Sequence, residues 1–116
     1  VGTAVLEVSG PEAARWAAEL RGALAANAGP GDEVSPVEVQ RSAELVIAVI
    51  GLVFAGVGTA KTIWDWWHSR RTDGVSVTIL LSDGTRVELS NVSSGELEIA
   101  FQQVESRQAE GGDHRG

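Results

Sequence analysis

The segment Ala43–Ser69, AELVIAVIGLVFAGVGTAKTIWDWWHS, decides how the rest of this chain is read. Leu45 to Ala60 are sixteen consecutive residues without a charge. Ser42 precedes the run as a helix cap, and the pattern predicts one long apolar helix over about residues 42–69. At ~1.5 Å rise per residue such a helix would span about 40 Å. Gly51, Gly56 and Gly58 are poor helix formers and mark places where it can kink. A helix that is apolar on every side must be buried on every side. A strand of six or seven residues is only about 20 Å long, so the sheet of a small domain covers only part of this helix.

The elements on either side predict that small sheet. Thr3–Val8 (TAVLEV) alternates as a strand, with Ala4, Leu6 and Val8 on one face. Ser9-Gly10-Pro11-Glu12 reads as a helix start. The helix it opens runs to about Ala26, with Ala13, Trp16, Ala17, Leu20 and Leu24 at helical spacing. Val34–Val39 (VSPVEV) reads as a second strand. Pro36 cannot donate to a ladder, so this strand is an edge or is interrupted there. Val75–Leu81 and Thr85–Ser90 form a hairpin around Asp83-Gly84. Ser93 and Glu96 are spaced as a capping box for a last helix, which carries Leu97, Ala100, Phe101 and Val104 on one side. Beyond Arg107 the tail 108–116 is polar and reads as disordered. The expected fold is α+β, in the order β-α-β-α-β-β-α. A four-stranded sheet carries helices on one face, all within one domain over 1–107.

The totals exclude several functions. The chain has 116 residues, no Cys and a formal net charge of −7. Without Cys there are no disulfides, thiolate metal sites or cysteine nucleophiles, which suits a reducing cytoplasm. The negative charge opposes nucleic-acid binding, because phosphates call for a basic surface. Val1 to Gly10 lack a charged stretch followed by an apolar core, so no signal peptide is expected in them. His68 and His114 are the only imidazoles and do not have metal-ligand spacing. No nucleophile elbow, P-loop or dinucleotide fingerprint occurs. The reading is therefore a non-enzymatic chain without cofactor, metal or small-molecule substrate, working by contact.

Three readings of the apolar helix follow. It could span a membrane, since Leu45–Trp67 is 23 residues long and ends in Trp64, Trp66 and Trp67 followed by Arg70-Arg71, like an aromatic belt with a positive flank. Against this, the uncharged run is shorter than the ~20 residues required, and extending it takes in Lys61 and Asp65. A span would also divide the strands into two remnants too small to be comfortable alone. It could be an ordinary core helix. Or it could lie half in the core and half against a second protein or another copy. In that case Gly51/Ala55 and Gly56/Ala60 permit close approach, Phe54 adds apolar contact, and the Trp and Arg residues form the end of the interface.

The whole pattern also resembles a known family. A βαβ unit leads into an apolar Gly/Ala-rich helix ending WDWWHSRRTDGVSVTI, then the hairpin LLSDGTRVELS and a closing helix. This resembles the effector-associated constant component family of bacteria over about residues 3–104. The resemblance implies an accessory or adaptor component of a conflict or immunity system. Its expected partner is an effector such as a peptidase or an NTP-dependent regulator, and no catalytic motif is carried over. The alternative is a membrane-active effector whose helix inserts and oligomerises when triggered, and a plain structural subunit is a third option. The expected location is cytoplasmic, with membrane association open. The contact residues expected are Gly51, Phe54, Ala55, Gly56, Trp64, Trp66, Trp67, Arg70 and Arg71.

Overall fold

Val46–Phe54, the centre of the apolar run, is a strand. Five of its nine residues (Val46, Ile47, Val49, Ile50 and Val53) are β-branched, which favours extended over helical backbone. The computed structural model describes residues 2–41 and 46–113, with the side chains of Arg71 and of 107–113 outside that description. Ser42, expected as a helix cap, Leu45 at the start of the run, and His114 lie outside the described residues.

The elements are β1 (Gly2–Ser9), α1 (Ala13–Ala26), β2 (Glu33–Val34), β3 (Glu38–Arg41), β4 (Val46–Phe54), α2 (Gly58–Arg70), β5 (Ser76–Leu81), β6 (Arg86–Glu88) and α3 (Ser94–Asp113). Short 3-10 turns at Arg71–Asp73 and Leu89–Asn91 follow α2 and β6. The expected helix over 42–69 is thus replaced by β4, a corner and α2. The corner falls at Gly56, whose φ of +107° lies far from the helical region and suits only glycine. The small-residue pairs expected along one helix fall apart accordingly. Gly51 is mid-strand, Ala55 and Gly56 are in the corner, and Ala60 is buried in α2.

Among the described residues the fold is α+β with three helices and a six-strand antiparallel sheet rather than the four strands expected. The order is β2-β4-β1-β5-β6, with β3 also on β4. Strands β2 and β3 pair with the two ends of β4, at Leu52–Val53 and at Val46–Val49, so together they form one edge broken at Pro36. Across the break, Ser35 N–H donates to the Gly51 carbonyl at 2.9 Å. The Gly51 N–H donates to Ser35 Oγ at 2.7 Å, so a side chain takes the place of a ladder bond there. On its other edge β4 pairs with the whole of β1, from Gly2↔Phe54 to Ser9↔Ile47.

Only one face of this sheet is fully covered. Ala4, Leu6 and Val8 of β1, Ala48, Ile50, Leu52 and Phe54 of β4, and Val77, Ile79 and Leu81 of β5 are all buried, alternating along each strand. Helices α1 and α3 lie against them, and α2 packs on both helices. Phe54 meets Phe101 of α3 with ring centroids 4.4 Å apart. The capping box is present in both directions. Ser93 N–H donates to Glu96 Oε1 at 2.8 Å, and Glu96 N–H donates to Ser93 Oγ at 3.2 Å. Helix α2 has 13 residues and β4 has nine, so neither outruns the domain, although one face of β4 stays uncovered. The expectation that a 40 Å helix overhangs its own sheet lapses with the helix itself.

Candidate functional site

The Trp-rich end of α2 turns largely inward. Trp66 and Trp67 are each 8% exposed, and Trp64 is half-buried against the core. The Trp66 ring meets Trp16 of α1 edge-on at 6.5 Å, and its Nε1–H donates to Glu19 Oε1 at 3.1 Å. Arg70 pairs with the same Glu19 carboxylate. Its guanidinium lies 5.7 Å from the Trp16 ring centroid and 5.8 Å from that of Trp66. The Arg15 guanidinium also lies over the Trp16 ring, 4.8 Å from its centroid. These contacts form a clamp between α1 and α2. Trp64 stacks at a tilt on Trp67 at 5.3 Å and on His68 at 5.9 Å. Arg71 lies in the turn after α2, and its side chain is outside the described residues.

The remaining residues singled out in the sequence divide between core, corner and sheet. Phe54 is 0% exposed. Ala55 N–H donates to Asp32 Oδ1 at 2.9 Å, and Gly56 N–H donates to Glu105 Oε2 at 2.7 Å. These two bonds tie the β4–α2 corner to the loop before β2 and to α3. Gly51 lies on the face of the sheet that the helices leave open.

That open face is the surface sequence reasoning missed. The register sets Thr3, Val5 and Glu7 of β1 beside Val53, Gly51 and Val49 of β4. Val5 and Glu7 also sit beside Leu80 and Thr78 of β5. Val5 is 37% exposed, Ile47, Val49, Val53 and Leu80 are half-buried, and among the described residues no helix lies over them. Beside this apolar strip, a depression of about 350 Å³ is lined by Thr3, Glu33, Ser35, Gly51 and Val53, among others. Gly51 adds no side chain to it, and a Cβ there would meet the Ser35 hydroxyl in a tight contact at 3.2 Å. The alternation Ile47, Val49, Gly51, Val53 was the available signal, and it becomes readable only when 46–54 is taken as a strand.

Among the described residues, no group of three His, Asp or Glu side chains is arranged to hold a metal ion. The open face offers apolar contact with carboxylates around it. The family model described as Effector Associated Constant Component 1 matches residues 11–105. The chain belongs to that family. The Effector Associated Constant Component 1 match runs from just before α1 into α3, so β4, the corner and the helix clamp all lie inside it. Strand β1 precedes the matched residues yet is central in the same sheet. The family's description is of a constant component associated with effectors. No curated protein and no solved structure matches the chain. Among the described residues, no helix is long and apolar enough to cross a membrane, and this removes the helix on which the membrane reading rested.

Proposed function

We propose that this chain is a non-catalytic adaptor of a bacterial conflict system, holding an effector protein such as a peptidase or an NTPase-type regulator. The family supports the association with effectors. The observation that carries docking is the uncovered sheet face, where Val5, Val49, Val53 and Leu80 form an apolar strip on the side opposite the helices. Apolar surface left contiguous on a small domain marks a place of protein contact. The contact therefore moves from the Trp-rich end of α2, where Trp66 is engaged in holding α1, to the sheet. Among the described residues of the sequence-derived set, Gly51 is the one that lies on it.

Co-expression of the full-length chain with each protein encoded beside its gene tests this role. The expected result is a stable complex with an effector or its regulator, weakened by Val49→Asp on the open face and kept by Trp64→Ala. A chain that binds none of these proteins, or that turns over a peptide or nucleotide substrate by itself, would overturn the reading.

A further inference from the structure

Resting on the adaptor reading, we infer that the open sheet face receives a protein surface with an apolar centre and a cationic rim, one apolar side chain of which enters the depression beside Gly51. Four carboxylates stand on or around this face. Glu33 pairs in register with Val53, Glu38 and Glu7 with Val49, and Glu88 with Thr78. Arg86, in register with Leu80, is the cation among these positions. Among the described residues none of the four carboxylates makes an ion pair or a side-chain hydrogen bond. Glu7 is half-buried in the middle of the face. A partner that dries this face must bring cations to these oxygens, because an unpaired carboxylate withdrawn from water is heavily penalised.

The same charges argue against the other occupants. A second copy would bring the same acids against these and carry the same net charge of −7. An anionic lipid surface would be repelled likewise. The depression sets the shape. Gly51, Ser35, Thr3, Val53 and Glu33 all line it. An apolar side chain flanked by Lys or Arg fits it, the apolar group filling the depression and the cation reaching Glu33 or Glu38.

Titration of the isotope-labelled full chain with two synthetic peptides tests the chemistry: one alternating Lys and Leu, the other alternating Glu and Leu. The Lys peptide is expected to shift the amide resonances of Val5, Ser35, Gly51 and Val53, and to weaken as salt is raised. The Glu peptide is expected to leave them unmoved. The double variant Val5→Gln and Val53→Gln keeps the charge and removes the apolar centre, so it should weaken binding about tenfold. The double variant Glu33→Gln and Glu38→Gln should weaken it about threefold and flatten the salt dependence. Equal binding of both peptides, shifts elsewhere on the chain, or indifference to the Val5 and Val53 changes would overturn the inference. So would binding of phosphatidylglycerol vesicles, or self-association, through this face. If a co-expressed effector binds and ignores both double variants, the adaptor role stands and this inference falls. If the Lys peptide binds as described and no effector does, the reverse holds.

Discussion

Trp66 on α2 donates its indole N–H to Glu19 on α1 at 3.1 Å, across 47 residues of sequence. Arg70 shares that carboxylate, so one acid of α1 holds two side chains of α2. The Glu19 and Arg70 side chains are 36% and 31% exposed, which limits what their ion pair contributes. The Trp66 ring is covered and contributes by burial. Glu19→Ala should therefore destabilise the fold by about 1 kcal/mol. Trp66→Ala should cost about 3 kcal/mol. The double variant should lose less than the sum, by about 0.5–1 kcal/mol. Urea unfolding of the four proteins measures this, and strict additivity would show that the two residues act separately.

Gly56 and Gly58 are expected to respond in opposite directions to the same substitution. Gly56 has φ +107°, where a Cβ is strained even though no atom lies within 4 Å of it. Gly56→Ala should destabilise by about 1 kcal/mol or more. Gly58 begins α2, has open space around its Cα, and has no such φ. Gly58→Ala should be neutral or stabilising by up to about 1 kcal/mol. A continuous helix through this region would gain from both changes, so thermal melts of the two variants discriminate between a corner and a helix.

Adjacent residues of β4 offer a test of the two-residue period. Ile50 is 0% exposed under the helices, while Val49 is on the open face. Ile50→Ala should cost about 3 kcal/mol. Val49→Ala should cost under about 1 kcal/mol, because its side chain is already half in water. Similar losses at both positions, measured by denaturant midpoint, would mean that both faces of the sheet are packed.

Ser93→Ala removes the acceptor for Glu96 N–H at the start of α3. The expected loss is about 1 kcal/mol. Helix α3 carries Leu97, Phe101 and Val104 into the core, so the loss should appear as a lower global melting temperature. Fraying confined to the first turn, seen as faster amide exchange there with an unchanged melting temperature, would contradict that coupling.

Local chemistry determined much of this protein without reference to the rest of the chain. The alternation in Thr3–Val8 names a strand and its buried face. Pro36 breaks the edge strand because it has no N–H to donate. Asp83-Gly84 makes the β5–β6 turn, and Ser93 and Glu96 cap α3, because each needs only residues two or three positions away. The family, too, was readable from the segment ending in WDWWHSRR. The state of Val46–Phe54 was decided by tertiary structure. A run apolar on every side has no period by which to separate strand from helix. What separates them is lateral pairing, and the partners of β4 include β1, about forty to fifty residues away along the chain. The same distance hid the site. Trp66 finds Glu19 only when α1 and α2 come together, and the open face exists only once three strands align Val5, Val49, Val53 and Leu80 on one side. A side chain's own chemistry states what it can bind, and the fold states which neighbours it meets and which it leaves to a partner.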